Sequence, residues 1–295
     1  MNIVICPLVS RDLEKAIRSV KSAKNIFPTK VHKFTTIPII NSLDFKFIDD
    51  FSKWCDENDV SYRVTESNGT APKGKNAVLD FFRDSFFDGL SMVDGDDMCW
   101  PTRGQQIERH LLHHPSTDVL ITKPSDRVDN SGVGYKVAEG YFANCWGTNF
   151  VKIPNCGPDK HDIFTIGHGS ATNNGGHIFY SKKAIEGLRY DEDQLLGEDF
   201  LLEFEFLKRH QDGKIAFWLT FCSDIQLLDR TSSNSIQRVN YDKGRECFER
   251  LMKKVPEIVS IDRSSFNELP VEFPPLLFNY EQKIEWIIKN FGLPT

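Results

Sequence analysis

The sequence predicts an α/β fold in which a mostly parallel central sheet is flanked by helices and followed by a helical C-terminal extension. Three observations lead there. Apolar runs of strand length alternate with amphipathic helical stretches through the first half of the chain. A strand ends in the carboxylate cluster Asp94-Gly95-Asp96-Asp97, at the sheet edge where open α/β folds place ligands. Beyond Asp229 the pattern changes to helices around a Pro-rich stretch. With 295 residues the chain has room for one large domain or two ordinary ones, and we divide it into a sheet domain over 1–228 and an extension over 229–295.

Taken in order, Ile3 to Cys6 reads as a buried strand closed by Pro7, and Asp12 to Val20 as a helix with Leu13, Ala16, Ile17 and Val20 on one face. His32 to Ile40 is the second strand, and Asp44 to Glu57 a helix carrying Phe47, Ile48, Phe51 and Trp54 at helical spacing. Val60 to Val64 is a third strand. The turn-rich Asn68 to Gly74 precedes a helix from Lys75 to Phe87, and Leu90 to Val93 is the fourth strand. Pro101 opens a helix over Thr102 to His113, with strand Asp118 to Thr122 behind it.

The middle, Pro124 to Asn174, is rich in Gly, Asn, Asp and Pro and predicts a binding face with hairpin strands near Tyr135 to Ala138 and Phe164 to Ile166. Gly176 to Ser181 is again a strand and Lys182 to Gly187 a short helix, after which Gly197-Glu198-Asp199 leads into a helix over Phe200 to His210. Strands Ile215 to Phe221 and Ile225 to Leu228 complete the sheet. The extension holds helices at Tyr241 to Lys254 and Glu281 to Phe291, with Pro270 to Pro275 between them.

Composition excludes several classes. Hydrophobic residues make up 40% and aromatics 12%, too many for a disordered chain. The net charge of −6 provides no overall pull toward nucleic acid or anionic lipid. No apolar run approaches the roughly 20 residues of a membrane helix, so no span is expected. The N-terminus enters an apolar strand at once, without the basic region and cleavage site of a secretory signal, which reads as a cytoplasmic protein. Seven scattered cysteines, none in C-x-x-C spacing, encode neither a disulfide framework nor a thiolate zinc site.

With 42 acids among 295 residues, three at set positions in a window of four arise about once by chance, so position carries the weight. Carboxylates crowded at a strand end repel one another and lose hydration, which a divalent cation relieves. A hard cation held this way keeps coordination sites for phosphate oxygens.

Three stretches, in order, carry a family resemblance. Ile3-Val4-Ile5-Cys6-Pro7 with Ser10-Arg11-Asp12-Leu13 and Ala16-Ile17-Arg18-Ser19-Val20 is the first. Asn68-Gly69, Gly74-Lys75-Asn76-Ala77 and Met92-Val93-Asp94-Gly95-Asp96-Asp97 form the second. Gly176-His177-Ile178-Phe179 and Gly197-Glu198-Asp199 are the third. Together they resemble a GT-A-fold glycosyltransferase of the family 2 type, over Asn2 to about Leu228.

The resemblance implies a Rossmann-like GT-A domain that moves a sugar from a nucleotide-diphosphate donor, UDP-linked by family habit, to an acceptor hydroxyl with inversion. It makes Asp94 and Asp96 the D-x-D pair bridging ribose, diphosphate and an Mg²⁺ or Mn²⁺ ion, with Asp97 an adjacent candidate. Asp199 is the implied base, and a carboxylate in the first turn of a helix is held ionised by the helix dipole. The loop Pro7 to Arg11, Val9 included, is implied to line the base and ribose, with Asp44 and Asn41 as weaker candidates because the family's acidic cluster is here Asn41-Ser42-Leu43-Asp44.

Lys73 and Lys75 flank Gly74 ahead of a helix N-terminus, where cations and amides meet phosphate, and Asn76 follows them. His161, His168 and His177 could ligate a metal, Trp100, Tyr141 and Trp146 could stack on a sugar or base, and Arg230 could reach the diphosphate; for each a structural role is the commoner reading. The acceptor stays open among a polysaccharide, a protein and a hydroxymethylated base in phage DNA. Two other functions compete. A nucleotidyltransferase would bring a Gly-rich triphosphate loop, and Pro7 to Arg11 contains no glycine. A non-catalytic nucleotide- or carbohydrate-binding module would keep the fold without the base.

Overall fold

The computed structural model describes residues 1–122, 126–129, 132–133, 150–151, 163–164, 177–195, 197–220 and 225–230, and single positions at Glu246, Arg250, Lys253, Glu285, Trp286 and Lys289. The expected hairpin at Tyr135 to Ala138, the residues Tyr141, Trp146, His161 and His168, and the stretch Pro270 to Pro275 lie outside the described residues. The six single positions fall in the two expected C-terminal helices, and all are helical.

The first half runs β1 (Asn2–Val9), α1 (Leu13–Lys24), β2 (Lys33–Thr36), β3 (Ile39–Ile40), α2 (Phe45–Glu57), β4 (Arg63–Val64), α3 (Ala71–Asp84), β5 (Gly89–Asp94), β6 (Met98–Cys99), α4 (Arg103–His113) and β7 (Val119–Thr122). There follow β8 (Asp126–Asp129), β9 (Gly132–Val133), β10 (Phe150–Val151), β11 (Ile163–Phe164), β12 (His177–Ser181), α5 (Lys182–Ile185), α6 (Glu198–Gln211), β13 (Phe217–Thr220) and β14 (Gln226–Arg230). The main sheet has the order β13-β7-β12-β5-β1-β3-β4, with β2 also paired to β1. All its pairings are parallel except those of β12, which runs antiparallel to both β5 and β7. The α/β architecture expected from the sequence is present.

Helices cover both faces because β1 and β5 are apolar on both. Val4 and Cys6 pack with Val78, Leu79 and Phe82 of α3 and Leu202 and Phe206 of α6. Ile3 turns the other way, toward Ile107 and Leu111 of α4. Val9 joins Ala16, Val20, Phe47 and Phe51 of α1 and α2. Burying a side chain of this size contributes about 1.5–3 kcal/mol, so each helix stripe is worth several times the net effect of any single polar contact.

Several boundaries differ from expectation. Pro7 does not close β1; the strand continues to Val9, with Pro7 opposite Val93. An interior strand tolerates a residue lacking an N–H because its partner on one side changes there, from β2 at Ile5↔Thr36 to β3 at Leu8↔Ile39. The expected strand His32 to Ile40 is split for the same reason, with Ile37 and Pro38 between its halves. Helix α3 starts at Ala71 and not at Lys75, since Thr70 caps it and Pro72 suits its first turn.

Ile225 to Leu228 does not complete the main sheet. Gln226 to Leu228 belong to β14 in a second sheet of order β6-β14-β8-β9. The boundary drawn at residue 228 therefore cuts a strand that runs to Arg230. Residues beyond it touch the sheet domain as well: Arg250 donates to an Asp193 carboxylate oxygen at 3.0 Å, and Trp286 packs on the buried Trp100 with ring centroids 5.1 Å apart.

Candidate active site

The parallel order brings the C-terminal ends of β1, β3 and β5 to one edge, and Asp94 is the last residue of β5, opposite Leu8. The turn that follows is pressed against β1. A Cβ on Gly95 would lie 2.3 Å from the Leu8 carbonyl oxygen and 2.8 Å from the Val9 Cα, so only glycine fits between the two acids. The Asp97 amide donates to the Asp94 carbonyl at 3.0 Å and closes the turn.

Asp97 points away from this edge. It is fully buried and accepts from the Gln226 side-chain amide and the Asp229 backbone N–H, each at 3.0 Å. Asp229 in turn accepts from Lys15 and Arg18 of α1, each at 2.9 Å. The acidic turn is thus braced from α1 and β14, leaving Asp94 and Asp96 as its half-buried carboxylates. Among the described residues no group of three or more His, Cys, Asp or Glu is arranged to hold a metal ion. Two oxygen-bearing side chains on one turn suit a hard divalent cation that takes its other ligands from phosphate and water.

Lys75 lies inside α3, about one turn beyond the helix N-terminus at Ala71. It is 3% exposed, with its ammonium 2.8 Å from Glu198 Oε1 and 2.7 Å from each Asp199 oxygen. Glu198 and Asp199 occupy the first turn of α6, which Gly197 enters at φ 77°. Burial opposes the ammonium charge, but Asp199, Glu198 and Asp94 together hold the Lys75 pKa well above its ordinary value. Asp94 therefore acts on the same ammonium that Asp199 contacts. Burial and the neighbouring Asp199, working against Lys75, push Glu198 up to about 7.

The remaining expected contacts fall as follows. Asn76 is buried and clamps the segment before α6, accepting from Tyr190 N at 2.8 Å and donating to Tyr190 O and Glu192 Oε1 at 3.0 Å. Asp44 caps α2 by accepting from the amides of Lys46 and Phe47. Asn41 is buried, donating to Thr65 Oγ1 and Glu66 O and accepting from Ser67. Pro7 is buried and Val9 turns into the α1 and α2 core, so neither expected contact to a base is made by an exposed side chain; Arg11 is exposed just beyond them. Lys73 sits 3.9 Å from Glu192. Trp100 is core. The side chains of His177 and Arg230 lie outside the described residues.

Sequence reasoning missed Lys15, Gln226 and Asp229 as supports of the acidic turn. The available signal was a lysine and an arginine three apart beside the apolar stripe of α1, a place where charge needs a buried partner.

No family model matches the chain, and a search of curated proteins finds no match. Solved structures do match. The Staphylococcus aureus TarS 1–349 structure in complex with UDP is 15% identical with TM-score 0.52, covering 97% of this chain and 78% of that one. The longer TarS structure matches at 14% identity and TM-score 0.50, and this chain spans 49% of its length. The mannosyltransferase PcManGT from Pyrobaculum calidifontis, in complex with GDP-Man and Mn2+, is 11% identical with TM-score 0.53, covering 90% of this chain and 67% of that one. The central sheet, its flanking helices and these likenesses together give the chain the GT-A glycosyltransferase fold.

Proposed function

We propose that the protein is a metal-dependent inverting glycosyltransferase of the family 2 type, moving a sugar from a nucleoside-diphosphate donor to an acceptor hydroxyl in a single displacement. The observation that carries the reading is geometric: Asp94 and Asp96 stand half-buried at the C-terminal end of β5, and the Lys75 ammonium, whose charge Asp94 favours, lies 2.7 Å from both oxygens of Asp199 at the start of α6. A donor-side carboxylate and an acceptor-side base belong to one site, as single displacement requires.

In this reading Asp94 and Asp96 would hold an Mg²⁺ or Mn²⁺ ion. When bound, such an ion supplies charge stabilisation to the departing diphosphate. Asp199 takes the proton of the acceptor hydroxyl as its oxygen attacks the anomeric carbon opposite the leaving group. The first turn of α6 adds the positive end of its dipole beside that carboxylate. The exposed Arg11, after β1, remains available to the nucleotide. The printed ligands of the solved neighbours, UDP and UDP-GlcNAc with TarS and GDP-Man with PcManGT, make uridine and guanosine donors the first to try.

The test is a panel of nucleotide sugars with Mn²⁺ or Mg²⁺, following release of nucleoside diphosphate as slow donor hydrolysis. Release that depends on the metal and on Asp94 supports the reading. No release and no nucleotide binding across the panel would reject it in favour of a non-catalytic module.

A further inference from the structure

Lys75 faces two carboxylates at once, in a cluster almost sealed from solvent: Lys75 is 3%, Glu198 8% and Asp199 7% exposed. An ammonium has three N–H donors, and here three carboxylate oxygens lie within 2.8 Å of it. The Tyr190 ring lies 5.5 Å from the same ammonium. Asn76, the next residue of α3, holds Tyr190 and Glu192 in place. One turn of α3 thereby fixes both the start of α6 and the segment that leads into it.

We infer that Lys75 is a positioning residue for the base: it holds the Asp199 carboxylate by both oxygens and offsets the negative charge that Asp199 and Glu198 place side by side. The inference rests on the glycosyltransferase reading above. The groups acting on the cluster are Asp94 from β5 and the Tyr190 ring from the segment before α6; Glu192 of that segment is held by Asn76 and lies 3.9 Å from Lys73 of α3.

The charge balance explains why such a cluster suits its task. With both acids ionised it carries one net negative charge. In the transfer, the acceptor oxygen bonds to the anomeric carbon, the bond from that carbon to the diphosphate oxygen breaks with its electrons leaving on the diphosphate, and the hydroxyl proton passes to Asp199. The cluster then becomes neutral, and a buried neutral cluster avoids the penalty of an uncompensated charge. The upward displacement of Glu198 is consistent with a site that binds one proton readily near neutral pH.

The experiment is the pH dependence of Mn²⁺-supported donor hydrolysis, with UDP-GlcNAc and GDP-mannose as probes. Lys75→Met should move the acid limb of the profile up by about one unit or more, because two adjacent carboxylates lose their cation. Lys75→Arg, which keeps the charge, should return the limb toward its wild-type position. Glu198→Gln should shift the limb the other way, to lower pH, since Asp199 loses a like-charged neighbour and keeps Lys75. If Lys75→Met fails to fold, Lys75→Gln, which keeps a hydrogen-bond donor without the charge, reads the same upward shift. Profiles that only scale in height, with the limb unmoved, overturn the role of Lys75. A wild-type protein that neither binds nucleotide nor releases diphosphate rejects the glycosyltransferase reading itself, a result distinct from an unmoved limb.

Discussion

Gln226 reaches back across 129 residues of chain to donate its side-chain amide to Asp97 at 3.0 Å. The third acid of the Asp94-Gly95-Asp96-Asp97 turn is therefore a support for the first two. Asp97→Ala should destabilise the fold by about 1–3 kcal/mol, because it strands the Gln226 and Asp229 donors in a buried place. Asp94→Ala and Asp96→Ala should leave the melting temperature near wild type and abolish both metal-dependent hydrolysis and the stabilisation given by Mn²⁺ with nucleotide. Thermal melts with and without those ligands separate the two classes, and a fully stable Asp97→Ala would contradict the assignment.

Asp199→Asn keeps the size and part of the hydrogen bonding of the side chain and removes its ability to take a proton. Turnover should fall by about 10²–10⁴-fold, the range of a lost general base. Nucleotide binding, read by calorimetry, should persist. Near-normal turnover would remove Asp199 from the base role.

Gly95→Ala tests the close approach to β1. The added carbon meets backbone of Leu8 and Val9, at 2.3 Å and 2.8 Å, and backbone does not move aside as a flexible side chain does. A loss of about 1–3 kcal/mol or more in urea unfolding is expected. Gly187 is the contrast, with a positive φ of 66° and no atom of the described residues within 4 Å of an added Cβ, so alanine there should cost only the backbone strain of about 1–2 kcal/mol.

Glu198 gives a pH dependence of defined sign. Its ordinary value is 4.5, and in the folded chain burial, then Asp199 against the pull of Lys75, raise it to about 7. Between those values the folded state holds more proton than the unfolded one. The contribution of this group to stability is thus full below about pH 4.5 and declines as pH rises through about 7. The stability of wild type relative to Glu198→Gln should fall between pH 5 and pH 8, as measured by urea titrations at each pH. A difference that grows with pH would show that pairing with Lys75 outweighs burial.

Much of the sheet was legible because its strands and helices carry their own periodicity. The stripe Val78, Leu79 and Phe82 marked α3, and Leu13, Ala16 and Val20 marked α1, where burial follows the pattern. The start of α3 was misread because Pro72 and Gly74 look like turn residues, although a proline in the first turn and a glycine packed against Leu8 and Asn41 both belong to a helix there. The reversed direction of β12 left no local mark, since strand direction is fixed by partners distant in sequence. At the site, Asp94, Asp96 and Asp199 stood out by type and position. Lys75, Asn76 and Asp97 stood out as well, but as contacts to phosphate, nucleotide or metal; their role as supports was hidden because their partners lie up to 132 residues away.

The brace on the acidic turn has a consequence for synthesis. Asp229 is the last of its members to be made, so while the ribosome adds the 132 residues after Asp97 the emerging chain carries that carboxylate without the β14 amide it needs, and Lys15 and Arg18 without their counter-ion. The nascent protein completes its acidic turn only after β14 has been translated, whatever order the helices settle in.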